Sequence, residues 1–222
     1  MLPPKLIFIE GLPGAGKSTA AEVVAERLER RGLACRWYHD SDVHHPVQPL
    51  LGAPDDLAVH MVRQWQEFVV ELIDSDTTVI VENRLWMQSA MRLFMRTDSA
   101  GALRSYQHAV AATLAPLAPA LIYLEQESVA IALGRLYGAR GREQLNEEIA
   151  RAEQEPWFQT RELTGFEGWL YFFADWMALL QQLYAEWPFP KFQVTNAHEH
   201  WPRAYDDVMT FLNSRRTAPG GL

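Results

Sequence analysis

Apolar positions along the chain fall into short continuous runs separated by stripes at helical spacing. Leu6-Ile7-Phe8-Ile9, Leu33 to His39, Thr77-Thr78-Val79-Ile80-Val81, Ala120-Leu121-Ile122-Tyr123-Leu124 and Phe189 to Val194 are rich in β-formers and of strand length. From Thr19 to Arg31, Ala20, Val23, Val24 and Leu28 share one face, with charges opposite. A second stripe runs from a cap at Asp55 or Asp56 to about Asp74, with Leu57, Met61, Trp65, Phe68, Val69 and Leu72 on its apolar side. Further helical stretches are Leu85 to Arg96, Leu103 to Leu117, Ser128 to Tyr137, Glu143 to Glu155, Trp169 to Trp187 and Trp201 to Leu212. Gly32, Gly52-Ala53-Pro54, Pro116, Pro119 and Pro156 punctuate them. Five strands alternating with helices predict an α/β fold, a parallel sheet covered on both faces.

Composition narrows the class. With 222 residues and 48% hydrophobic content, residues 1–216 are expected to form one domain, with a lid and insertion over about 138–168 and a loose tail at 217–222. A net charge of −8 argues against a nucleic-acid groove, which needs a basic stripe. The single cysteine, Cys35, forms no intramolecular disulfide, which suits a reducing cytoplasm. The first apolar stretch is used as a strand, and no segment reaches ~18 uninterrupted apolar residues, so no membrane span is expected.

The chemistry centres on Gly11-Leu12-Pro13-Gly14-Ala15-Gly16-Lys17-Ser18, followed by Thr19. It fits G-x-x-x-x-G-K-[ST] between a strand and a helix, the context that makes the pattern a phosphate-binding loop. The glycines Gly11, Gly14 and Gly16 let the loop curl so that its N–H groups point into one concavity, where the stretch including Pro13 and Ala15 is expected to bind the cofactor, and the helix N-terminus adds its donors and dipole. Lys17 is expected on the β- and γ-phosphates of ATP, and Ser18 on Mg²⁺.

Polar residues at the strand ends extend the site. Asp40 or Asp42, after the second strand, could take the proton of an acceptor hydroxyl or hold Mg²⁺ through water; the alternative for each is a helix cap or Asx-turn. His44-His45 reads as a turn or substrate rim. Glu82, after the third strand, is placed to orient Mg²⁺ and its waters, and Arg84 to hold the acceptor or its phosphate, with Trp86 beside it. Arg135, Arg140 and Arg142 fall in a glycine-punctuated stretch after the fourth strand, where a mobile loop could close over the triphosphate.

These residues carry a resemblance. Ile9 to Thr19, Val79-Ile80-Val81-Glu82-Asn83-Arg84, and Leu121 to Leu124 running into Arg135 and Arg140 resemble the P-loop kinases, in particular thymidylate kinases and related nucleoside and nucleotide kinases. Asn83 stands where Asp is usual, and the Arg-Glu-Pro of thymidylate kinases is missing after the second strand. Asp40-Ser41-Asp42 with His45-Pro46 is instead similar to the Asp-x-Asp…His-Pro pattern of gluconate-kinase-like enzymes. The resemblance implies a three-layer P-loop fold with an arginine-bearing helical lid, and Asn196, in the last-strand loop, touching the adenine. It implies ATP and Mg²⁺ as cofactors, a small-molecule acceptor, and a cytoplasmic kinase; the aromatic C-terminal helix could support a homodimer. Two other classes stay open: a nucleotide-dependent regulatory switch, although the chain has neither Asn-Lys-x-Asp nor Leu-Ser-Gly-Gly-Gln, and an ATP-binding protein without chemistry.

Overall fold

The computed structural model describes residues 3–48, 54–126 and 128–214, without the side chains of 54–56, 137, 139 and 140. The expected break at Gly52-Ala53, the capping side chains of Asp55 and Asp56, and the tail 217–222 lie outside the described residues.

Five strands, β1 (Leu6–Gly11), β2 (Cys35–Tyr38), β3 (Thr78–Glu82), β4 (Ala120–Glu125) and β5 (Lys191–Thr195), form one sheet in the order β2-β3-β1-β4-β5. Every neighbouring pair is parallel. The central strands read as near-continuous apolar runs because both faces are covered. Alternation along them divides two cores. Leu6, Phe8, Val79, Val81, Leu121 and Tyr123 face one layer, which also holds α2 (Pro54–Leu72), α4 (Ala100–Leu114) and α8 (Gly165–Glu186). Ile7, Ile9, Ile80, Ile122 and Leu124 face the other, against α1 (Lys17–Glu29) and α9 (Trp201–Ser214).

The sheet order reverses around β1, and ligands of open α/β sheets bind at such a switch point, beyond the carboxyl ends of the strands. Here that edge carries Gly11, His39-Asp40, Glu82 and Glu125, because Ile9 registers on Glu82 and Gly11 on Leu124.

Several elements differ from the sequence reading. The stretch from Leu85 to Arg96, expected as a helix or lid piece, is a π-helical segment, Arg84–Ala90, followed by α3 (Met91–Thr97). Asn83 turns the chain with φ 60°, and the Gln88 amide bonds the Asn83 carbonyl five residues back. The glycine-punctuated arginine loop is largely helical. The α5 helix (Val129–Arg140) continues through Gly138, and the chain turns only at Gly141, φ 83°, before α6 (Arg142–Ala152). Arg140 therefore ends a helix, and its side chain lies outside the described residues. Trp157 and Phe158, in the short α7 (Pro156–Gln159), pack edge-on and tilted against Phe172 inside the aromatic core.

Candidate functional site

The site starts from the turn between β1 and α1. Gly11, Gly14 and Gly16 all have positive φ. Neighbouring backbone approaches closely at two of them: a Cβ on Gly11 would stand 2.4 Å from the Leu124 carbonyl oxygen, and one on Gly14 2.4 Å from that of Ala132. Only glycine fits there. Gly16 begins α1 with no capping side chain, and Ala15 closes the turn by donating its amide to the Leu12 carbonyl at 3.1 Å. Pro13 is half-buried and Thr19 exposed. The Lys17 ammonium folds over the loop and donates to the carbonyls of Gly11 and Leu12, both at 2.9 Å. A strand-to-helix turn with uncapped amides and a lysine across its mouth can hold a polyphosphate.

Beside the turn, Ser18 Oγ donates to Glu82 Oε1 at 2.6 Å. Glu82 is buried, and burial pushes its carboxyl above the usual range, although the bond from Ser18 works against the shift. Its Oε2 has no hydrogen-bond partner among the described residues. A buried carboxylate oxygen without a donor, next to a hydroxyl, fits a divalent cation.

Asp40 lies alongside. Its Oδ2 accepts from Asn83 Nδ2 at 2.8 Å, and its Oδ1 lies 3.3 Å from His39 Nδ1. Asn83 thus has a local role in place of the more usual Asp: a carboxylate there would face Asp40 as a like charge. Arg84, 3% exposed, donates from Nη2 to the Asp40 carbonyl at 2.6 Å. Burial lowers its pKa from the usual guanidinium value, and the Asp40 charge opposes that.

Other expected site residues sit elsewhere. Trp86 is buried between Tyr123 and Trp187 at ring distances of 6.0 and 6.2 Å, and its indole donates to Gln107. It is a core side chain, because the π-helical turn points its ring inward. His45, expected at the rim, is buried against the Tyr38 ring, and burial with the nearby Arg84 charge pushes its pKa down to about 3. Its Nδ1 accepts from the Val47 amide at 3.0 Å. Asp42 Oδ1 accepts from the His44 amide at 2.8 Å, the Asx-turn alternative. Arg135 reaches the loop's flank beside Gly14 and donates to Gln126 at 3.0 Å. Asn196, at φ 48°, bonds the Glu125 carbonyl and lines a cavity of about 250 Å³ with Thr195, His200 and Arg203.

Two residues were missed by the sequence reading. Glu10, fully buried in β1, accepts from the amides of Leu85 at 2.7 Å and Met87 at 3.2 Å and so holds the first turn of the π-helical segment that carries Arg84. Burial raises its pKa to about 7, against the lowering effect of Lys17. Its signal was a lone carboxylate inside an apolar strand. His39 Nδ1 lies 2.7 Å from Ser41 Oγ and accepts from the Ser41 amide at 3.1 Å, while Nε2 stands 3.9 Å from Glu82 Oε2.

No protein-family model matches the chain, and no curated protein matches it. Solved structures do. A deoxyadenosine kinase from M. mycoides, solved with bound dATP, covers 94% of this chain and 99% of its own at TM-score 0.53 and 17% identity. A thymidylate kinase from Ehrlichia chaffeensis covers 95% and 99% at TM-score 0.51 and 10% identity. No helix among the described residues is long and apolar enough to cross a membrane. The chain has the P-loop kinase fold that these nucleoside and nucleotide kinases share.

Proposed function

We propose that the chain is an ATP·Mg²⁺-dependent phosphotransferase whose acceptor is a small hydroxylated or phosphorylated metabolite, with nucleosides and nucleoside monophosphates the favoured class. One observation carries the reading. The turn at Gly11–Ser18, the Ser18–Glu82 pair and the Asp40–Asn83–Arg84 group meet at the carboxyl edge of the sheet. The structural likeness to a deoxyadenosine kinase and a thymidylate kinase supports the acceptor class.

In this reading the loop amides and Lys17 hold the polyphosphate of ATP. To do so Lys17 exchanges its two carbonyl bonds for phosphate oxygens. Ser18 and Glu82 hold Mg²⁺, which when bound neutralises charge on the transferring group. Asp40, its Oδ2 oriented by the Asn83 amide, takes the proton from the acceptor hydroxyl. Arg84, held at the Asp40 carbonyl, turns its guanidinium to the acceptor side. Arg135 approaches the phosphates from α5, and Asn196 borders the base.

The test is ATP consumption with Mg²⁺ against pooled nucleosides, nucleoside monophosphates and sugar acids, with Lys17→Ala as control. A pool that raises turnover many-fold above the acceptor-free rate, and loses that gain in the control, establishes the reaction and its class. Turnover indifferent to every pool refutes the reading.

A further inference from the structure

His39, Asp40 and Glu82 each present one ligand atom, and the three lie within 4.8 Å of one another. Donors bound to one ion at ~2.0–2.2 Å stand roughly 3–4 Å apart around it, so a small contraction closes the shell. The second observation is Glu82 itself. It is 1% exposed, its Oε1 is occupied by Ser18, and its Oε2 faces His39 Nε2 at 3.9 Å with no hydrogen-bond partner among the described residues. Asp40 is oriented in the same way, because Asn83 holds Oδ2 and Oδ1 is turned toward the imidazole.

We propose that His39, Asp40 and Glu82 form a mixed nitrogen–oxygen site that captures a divalent first-row transition ion of the Mn²⁺, Co²⁺ or Zn²⁺ class in the nucleotide-free protein. The imidazole sets the ion class. Mg²⁺ takes oxygen ligands and sheds water reluctantly, whereas an imidazole with two carboxylates suits the transition ions. Ligation uses the Nε2 lone pair and so needs the ring's single proton on Nδ1: on binding the ion the imidazole gives up the bond it accepts from the Ser41 amide at 3.1 Å and donates instead to Ser41 Oγ at 2.7 Å. With 42% of its side chain exposed, His39 gives the ion a way in from solvent.

The proposal rests on reading Asp40 and Glu82 as the residues of the phosphoryl-transfer site. An ion held there occupies the carboxylate that would take the acceptor's proton, so ion capture and acceptor turnover exclude each other. His39 thereby makes the resting site sensitive to transition-metal supply.

The experiment is a titration of untagged, nucleotide-free full-length chain with CoCl₂, followed by calorimetry and visible absorption. Wild type binds one equivalent and develops the ligand-field bands of a nitrogen–oxygen site. His39→Asn, which keeps a polar side chain at a half-exposed position, weakens binding by at least ~10-fold and shifts the bands. Glu82→Gln, checked by thermal melt for folding, abolishes the bound equivalent. No stoichiometric Co²⁺ in wild type overturns the proposal, as does His39→Asn with unchanged affinity and spectrum. Because neither nucleotide nor acceptor is present, failure here leaves ATP-dependent turnover standing, and absence of turnover leaves this titration standing.

Discussion

Replacing Glu10 with Gln should remove a pH dependence of stability that the wild-type chain carries. Glu10 is fully buried in β1, where loss of hydration disfavours its charged form. A carboxyl raised from 4.5 to about 7 in the folded state binds its proton more tightly there than in the unfolded chain. Its contribution is therefore complete below pH 4.5 and is lost as pH rises through about 7. At ~1.36 kcal/mol per pKa unit the loss amounts to about 3 kcal/mol. His45, whose pKa is lowered to about 3, acts in the opposite sense and weakens the fold as pH falls below the ordinary histidine range. Only the difference between wild type and Glu10→Gln isolates the Glu10 term. The assay is urea unfolding of both proteins at a series of pH values from 4.5 to 8 at constant ionic strength. Wild type should lose about 3 kcal/mol relative to the variant across that range. Curves that stay parallel to within ~0.5 kcal/mol would show that the Glu10 carboxyl is not strained by burial, and the argument from desolvation fails.

The remaining expectations concern the site. Asp40→Asn should lower acceptor-dependent turnover by ~10²–10⁴-fold while nucleotide affinity, read by equilibrium dialysis, stays near wild type; a native rate removes Asp40 from the role of base. Gly16→Ala should cost about 1–3 kcal/mol and weaken nucleotide binding, because φ is 85° and the new Cβ would sit 2.3 Å from the Trp201 ring. Adding Trp201→Ala removes the clash but not the backbone strain, so thermal melts should recover only part of the loss. Arg84→Lys keeps the charge but loses the planar guanidinium donor to the Asp40 carbonyl. It should raise the acceptor KM more than the ATP KM in steady-state kinetics, and equal changes in both would count against an acceptor-side role.

Local order in the chain was enough to read the architecture. Apolar runs such as Ile7-Phe8-Ile9 and Val79-Ile80-Val81 are buried on both faces, and that double burial is what a parallel sheet under two layers of helix requires. The phosphate-loop motif was legible for a related reason. Gly11, Gly14 and Gly16 all take positive φ, a demand that the turn itself makes, so their spacing is written locally.

What joins the strand ends could not be read that way. Ser18 meets Glu82 across 64 positions, and Asn83 meets Asp40 across 43. Those pairings exist because the sheet order puts β3 between β2 and β1. Trp86 and His45 were read toward the acceptor and are buried instead, since the direction of each side chain depends on the π-helical turn and the loop after β2. Glu10 shows the same division. Its carboxylate, missed in the sequence, is an exception in an apolar strand, and its partners, the amides of Leu85 and Met87, arrive from another element. The sequence by itself determined strands, helices and the phosphate turn, because those follow from periodicity and local backbone sterics. The tertiary structure alone decided which carboxylates share a site, because their proximity depends on strand order.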